Sequence, residues 1–320
     1  MTNCKYYPVA VLLILIAGAI VCEKAAAADN VYLMTYFKEE GPRPETGFHP
    51  GDGLHLAWSE DGMNWKPLNG GEVIYRGRAD AAFRDPNIIE GPDGAYHMVW
   101  TAKPRSIGYA SSRDLVHWTD DILIPVMDHE PRARNSWAPE LFYDDENGRF
   151  LIFWSSTVDG EFLRTQGFGD GTWNHRIYYK TTEDFKTYSE TKLLYDPGFN
   201  CIDATIKKAG PGKYLMFLKN ETLFPTKKNI VVAKSASAEG PYGKASPSIS
   251  DNWVEGPSAV RIDGRWIVYF DEYTRHRYGA VASSDLRKWD YIGGELKVPE
   301  GARHGSVLVV PRDILKGFDG

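Results

Sequence analysis

Cysteine is almost missing from this chain. Of three in 320 residues, Cys4 and Cys22 fall within the first 28, and only Cys201 lies beyond them. A single thiol cannot close an internal disulfide, so stability has to come from packing. Positive charge is also in short supply. The chain carries −6, and removing residues 1–28, with Lys5 and Lys24 against Glu23, leaves the remainder one unit more negative. An acidic surface argues against nucleic acid or an anionic membrane as partner. Metal-ligand spacings such as H-E-x-x-H or paired C-x-x-C do not occur. Sustained apolar periodicity of 3.6 residues is absent too, and no apolar run is long enough to span a bilayer comfortably.

The apolar run from Val9 to Val21 follows Lys5 and precedes a small-residue stretch, Ala25 to Ala28. A charged start, a short apolar run and an A-x-A site make up a signal peptide. Residues 1–28 are therefore expected to be removed, leaving one domain over 29–320 in an exported protein, periplasmic or extracellular. Cys22 opens the alternative of a lipoprotein; Val21 disfavours it, because a lipid-modified cysteine usually follows Gly, Ala or Ser.

What the chain does have is short β-type runs separated by Gly, Asp, Asn and Pro, and an aromatic content of 13%. One pattern recurs within them: a strand, a small polar turn, then an aromatic. The copies run from Leu54 to Trp65, Ile107 to Trp118, Ile177 to Tyr188, Ile230 to Tyr242 and Tyr278 to Trp289. Repeats of roughly 40 to 50 residues, each holding four strands, mark a β-propeller, since one blade cannot bury both of its faces alone. The reading is an all-β, five-bladed β-propeller, against the alternative of a two-sheet sandwich with chance hairpin similarity.

A second series sits upstream of each hairpin: Asp85 in RDPNI, Glu140 in WAPEL, Asp203 in IDATI, Glu255 in VEGPSA and His304 in RHGSV. Each blade is thus expected to place one ionisable side chain at an equivalent position near the axis. A strand begun by His304 finds its partners at Val31 to Phe37 and Leu54 to Ser59, so both chain ends share one blade and no edge is left free. Chain direction then gathers the loops Lys38–Gly53, Ala102–Ser106, Ser155–Arg176, Lys219–Asn229 and Asp271–Arg277 at the carboxylate end. The longest of these, in the second blade, holds Phe162, Phe168 and Trp173. Sugar rings stack their C–H faces on such aromatics, which makes Trp137 and Trp173 candidate substrate platforms.

Cleaving a glycosidic bond needs a protonated acid at the leaving oxygen and an ionised carboxylate opposite it, so the two must differ in pKa. A third carboxylate nearby raises the acid by like-charge repulsion. Asp85, Asp203 and Glu255, from separate blades at one mouth of a channel, meet that requirement. In order and spacing the motifs FRDPNII, CIDATI and WVEGPSA resemble those of glycoside hydrolase family 43, the five-bladed arabinofuranosidases, xylosidases and related enzymes. The resemblance implies an inverting mechanism with Asp85 as general base, Glu255 as general acid, and Asp203 tuning and holding the acid. It implies that SWAPE and RHG line the pocket, with Glu140 and His304 touching sugar. It requires no cofactor and allows a structural calcium ion near the channel, beside His304. Ala204 departs from the family, which usually has Pro after the third-blade Asp.

Two His-Arg pairs, His175-Arg176 and His276-Arg277, occupy parallel places before third strands at the pocket end; His276 and Arg277 are the ones carried as candidate readers of substrate hydroxyls. The expected substrate is an oligo- or polysaccharide with arabinofuranosyl, xylosyl or galactosyl units, cut from its ends. The alternatives are a non-catalytic glycan-binding propeller and a retaining invertase-like fructosidase. The latter lacks here its Asn-Asp-Pro-Asn-like nucleophile motif and its Glu-Cys acid motif.

Overall fold

A computed structural model describes residues 1, 29–39, 45 and 48–318. Residues 2–28, and with them the expected signal peptide and Cys22, lie outside the described residues.

Five sheets account for the strands among the described residues. The closing blade begins with β1 (Asn30–Tyr36), β2 (His55–Ser59) and β3 (Lys66–Pro67). The first blade is β4 (Arg84–Glu90), β5 (Tyr96–Lys103), β6 (Ser106–Ser112) and β7 (Ile122–Pro125), and the second is β8 (Trp137–Asp144), β9 (Arg149–Ser156), β10 (Arg176–Thr182) and β11 (Lys192–Tyr195). The third has β12 (Cys201–Gly210), β13 (Lys213–Asn220) and β14 (Asn229–Ser235). The fourth has β15 (Glu255–Ile262), β16 (Arg265–Glu272), β17 (Arg277–Ser283) and β18 (Asp290–Tyr291). The last strand, β19 (Val307–Pro311), returns to the closing blade and pairs antiparallel with β1, Val31 opposite Val310 and Leu33 opposite Leu308. The chain is the five-bladed propeller expected from the repeat, closed by both chain ends. Helix among the described residues is limited to short 3-10 turns, and none is long and apolar enough to cross a membrane.

The core is divided as the architecture requires. Each of five buried apolar clusters lies between two neighbouring blades: Phe153, Ile206 and Met216 join the second and third, for instance, and Met34, Val260 and Tyr269 join the fourth to the closing blade. A blade therefore depends on both neighbours for burial, and ring closure by β19 completes the last wedge.

The recurring polar turn has a structural cause. Ser59, Ser112, Thr182 and Ser283 each accept backbone N–H groups two and three residues on, and Asp61, Asp114, Asp184 and Asp285 cap the next two. The closing aromatic then pins the turn: Trp65 and Trp118 donate their indole N–H to Gly62 and Leu115 carbonyls, both at 3.1 Å. The third blade departs from the expected four strands. Its outer position is an irregular segment with Pro241 and Pro247, which reaches β14 through isolated bonds such as Ser246 N–H to Val232 O at 2.8 Å. Proline has no N–H to give a ladder.

Candidate active site

Every innermost strand starts with one residue too many. Arg84 opposes Thr101 and Asn87 opposes Val99, so three steps along β4 match two along β5. The same irregularity lies between Trp137 and Glu140, between Ile202 and Thr205, and between Glu255 and Ser258. In the closing blade, the Phe37–Arg303 bridge and the Met34–Val307 pair enclose it as well. Such a bulge bends the strand and re-aims side chains. Its second residue adopts a left-handed backbone in four blades: Asp85 (φ 54°), Ala138 (46°), Asp203 (56°) and Gly256 (60°).

This register corrects the expected equivalence of the five ionisable residues. Asp85, Asp203 and His304 do share one position, together with Ala138 and Gly256. Glu255 stands one residue earlier, level with Arg84, Trp137, Ile202 and Arg303. Glu140 stands two residues later, level with Asn87, Thr205, Ser258 and Ser306. That later position stitches blades together: Asn87 Oδ1 accepts from Leu141 N–H at 2.9 Å, Ser258 Oγ from Val307 at 2.8 Å, and Ser306 Oγ from Ile88 at 3.2 Å. Glu140 is accordingly buried and does not line the cavity. Burial pushes its carboxyl up to about 7 despite Lys207, Thr205 and His304 nearby.

A cavity of about 300 Å³ opens over the bulges, at the lower end of the range for small-molecule sites. Asp85, Asp203, Glu255 and His304 form its floor, with Arg84, Thr101, Lys219 and Glu221 around them. Its wall is aromatic: Trp137 and Trp173 ring centres are 4.6 Å apart, Phe48 lies parallel to Trp137 at 6.2 Å, and the Arg134 guanidinium covers Trp173 at 4.1 Å. A larger groove of about 800 Å³ runs between the turns of the first two blades, and two of its acids, Asp114 and Asp184, are engaged in capping those turns.

The floor is electrostatically differentiated. Asp85 Oδ2 accepts from Thr101 Oγ1 at 2.7 Å, and Oδ1 lies 3.4 Å from His304 Nδ1. Burial works against its ionisation, yet His304, Arg84 and Thr101 outweigh it and hold the carboxyl below the usual range. Burial likewise opposes the charge on His304, and Asp203, Asp85 and Glu255 overcome it, raising the imidazole to about 9. Asp203 is pushed upward, first by burial and then by Glu255. Its Oδ2 accepts the N–H of Gly256 at 3.0 Å, so it is fixed by the residue next to Glu255. Glu255, although largely desolvated, is drawn down by Lys219, 3.2 Å from Oε2, and by Arg303, 3.5 Å from Oε1. Both cations have nearer partners: Lys219 is 2.7 Å from Glu221, and Arg303 is 2.7 Å from Asp271 and 2.9 Å from Glu39. Counted together, the carboxyls of Glu39, Asp85, Asp203, Glu221, Glu255 and Asp271 outnumber the cations Arg84, Lys219, Lys228, Arg303 and His304. Within this cluster Asp203 and Glu255 titrate as one system.

Gly256 is required by this arrangement. Its φ is left-handed, and a Cβ there would stand 2.3 Å from the His304 ring. Gly256→Ala is expected to push His304 away from Asp85 and lower kcat/KM by about tenfold or more, beyond the roughly 1–2 kcal/mol that the backbone itself costs. Steady-state kinetics read beside Tm check this; wild-type kcat/KM in a folded variant would contradict it.

Several candidates fall elsewhere. His276 and Arg277 are exposed, and Arg277 Nε is bound to Glu272 at 2.6 Å; neither lines the cavity. The parallel pair does better. His175 lines the cavity, is 2% exposed, stacks on Trp173 at 5.4 Å, and both of its ring nitrogens lack protein hydrogen-bond partners. Burial brings its imidazole down to about 3, so it is neutral. Lys219 and Glu221 sit in no motif and gave no signal in the sequence. As for an ion in the channel, calcium takes six to eight oxygens. Among the described residues no three His, Cys, Asp or Glu side chains are grouped to hold a metal. The charged groups gathered around Glu140 are Lys207, His304 and Asp203, two of them cationic partners for a carboxylate. Around His304 itself the charged groups are Asp203, Asp85 and Glu255.

Comparison with known proteins agrees with the geometry. Residues 29–314 match the family described as "Probable glycosyl hydrolase domain", related to glycoside hydrolase family 43. The chain belongs to this glycosyl hydrolase family. An α-L-arabinofuranosidase of Bifidobacterium longum subsp. longum is 25% identical over 85% of the chain, which spans only 34% of that protein's length. Among solved structures, the α-L-arabinofuranosidase from Lactobacillus brevis superposes with a TM-score of 0.53 at 19% identity, over 67% of this chain and 73% of its own. A thermostable family-43 glycoside hydrolase does so with 0.54 at 16%, over 72% and 80%. At these identities the two structures speak to the fold of this family 43 relative.

Proposed function

We propose that this glycosyl hydrolase removes single terminal sugars, arabinofuranosyl first and xylosyl or galactosyl next, from plant-type oligo- or polysaccharides with inversion at the anomeric carbon. The observation that carries this reading is the convergence of Asp85, Asp203 and Glu255, from three blades, on one small cavity with an aromatic wall. A volume near 300 Å³ suits one sugar ring better than a chain. The arabinofuranosyl preference rests on the similarity to the Bifidobacterium enzyme.

Asp85, held ionised by His304 and Thr101, takes a proton from water as that water attacks the anomeric carbon. Glu255 gives its proton to the departing oxygen. Asp203 shares the titration with Glu255 and, through Gly256, holds the acid's strand in place. In the free protein Lys219 and Arg303 favour the ionised form of Glu255; a sugar that fills the cavity excludes water and favours the neutral form. Trp137 and Trp173 offer faces for the ring, and neutral His175 offers both a donor and an acceptor to hydroxyls. The protein's export is part of the proposal and is supported by Lys5, Val9–Val21 and Ala25–Ala28.

The test is hydrolysis of a panel of p-nitrophenyl glycosides and arabinan, xylan and galactan fragments, with the product anomer followed by proton NMR. Release of a single inverted sugar is expected, fastest from the α-L-arabinofuranoside. A product of retained configuration would overturn the inverting assignment. Binding without turnover on every member would make the protein a glycan-binding propeller.

A further inference from the structure

Lys219 stands where two other blades have a hydroxyl. The second-strand residues opposite the five bulges are Thr101, Ser155, Lys219, Asp271 and Phe37. In the first two, the side-chain oxygen accepts the N–H of the left-handed residue one blade on: Thr101 Oγ1 from Ala138 at 2.8 Å, and Ser155 Oγ from Asp203 at 3.1 Å. A lysine has no acceptor to offer. At its position the N–H of Gly256 turns instead to Asp203 Oδ2. Lys219 is thereby released from the stitching role and directs its ammonium at Glu255.

The side chain is 3% exposed and the ammonium's partners are graded, with Glu221 Oε2 at 2.7 Å, Glu255 Oε2 at 3.2 Å and the Tyr273 ring centre at 4.7 Å. A buried cation persists only when it is paired; here the nearer ion pair is with Glu221, while the ammonium gives its hydrogen bond to Glu255. The other oxygen of Glu221 is held by Lys228, itself buried and also paired with Asp170. Asp170 is 53% exposed and belongs to the long loop of the second blade. Charge therefore alternates along a continuous path from the rim to the acid: Asp170, Lys228, Glu221, Lys219, Glu255.

We propose that Lys219 is a positioning residue that governs how tightly Glu255 holds its proton, and that Glu221 sets the strength of this control by competing for the same ammonium. The inference rests on the reading of Glu255 as the acid. The other groups facing Glu255 are Arg303 from the segment before β19, shared with Asp271 and Glu39; His304 beside it; Asp203 from β12; and Tyr273 after β16. Asp203 also feels Lys219 and titrates with Glu255, so the displacement is read on that pair by the two substitutions. They also have opposite signs. Removing the cation leaves Glu255 harder to ionise. Removing its competitor leaves the ammonium to Glu255 and makes it easier.

The experiment is the pH dependence of kcat/KM for Lys219→Met, Glu221→Gln and Lys219→Arg. Loss of the acid's proton sets the alkaline limb. K219M is expected to move that limb up by about one pH unit, the lower end for one opposite charge within contact range. E221Q should move it down, and K219R should restore it most of the way. A carbon-13 titration of side-chain-labelled glutamate, with Glu255 assigned from the signal missing in E255Q, reads the same displacements without substrate. It therefore separates failure of this inference from failure of the glycosidase reading. Limbs and midpoints unmoved in folded variants, or moved in the same direction by both substitutions, would overturn it. If K219M does not fold, E221Q decides alone: a downward displacement supports the proposal, and an unmoved or upward one ends it.

Discussion

Asp85→Asn is expected to lower kcat/KM by about 10⁴-fold, the upper end of what a positioned general base contributes. The substitution keeps shape and removes only the ability to take a proton. Thr101 Oγ1 still has an oxygen to donate to at 2.7 Å, and the left-handed backbone at φ 54° suits asparagine as well as it suits aspartate. The cavity should therefore still bind sugar, with Kd for the product within a few-fold of wild type by calorimetry. His304 loses its nearest carboxylate but keeps Asp203 and Glu255 within electrostatic reach. The result to look for is lost turnover with retained binding. Turnover within tenfold of wild type would take the base role from Asp85, and a parallel loss of binding would make it a structural residue.

Glu255→Gln should be nearly as damaging, about 10³-fold or more on substrates with poor leaving groups. The loss must depend on the leaving group, because a glutamine can neither donate a full proton nor keep the charge that draws Lys219 and Arg303. An activated dinitrophenyl glycoside needs little protonation, and with it the defect should shrink to tenfold or less. A plot of log kcat/KM against aglycone pKa should therefore be much steeper for E255Q than for wild type. Equal slopes would show that the proton comes from elsewhere, and Asp203, whose carboxyl is raised by burial and by Glu255, would be the first place to look.

The two substitutions probe positions whose relation only the register reveals. Along the chain, Asp85, Glu140, Asp203, Glu255 and His304 look like one series with one spacing. The shared bulge separates them: a single added residue per strand decides which of three successive side chains faces the cavity and which faces a neighbouring blade. Glu140 falls on the wrong side of that division. A one-residue offset is invisible in repeats whose lengths vary by several residues. His276 failed for a related reason. The pair His175-Arg176 and the pair His276-Arg277 occupy parallel places, but Trp137 and Trp173 pack over the first and turn it inward, whereas Arg277 is drawn outward by Glu272.

Lys219 shows the limit more sharply. No motif contains it, because its role depends on which residue lies across the strand from it and which blade comes next. Both are facts of pairing.

By its amino-acid order alone, this protein is determined to be all-β, to contain five similar units, and to close on itself through its two ends. Local turn chemistry and the two-residue alternation of strands are written in neighbouring positions and survive without knowledge of the fold. The tertiary structure decided which acids meet, which cations hold them, and which of two histidines faces the cavity. Those outcomes come from the bulge register and from contacts between blades about fifty residues apart, where a shift of one residue exchanges a cavity-facing side chain for a buried one.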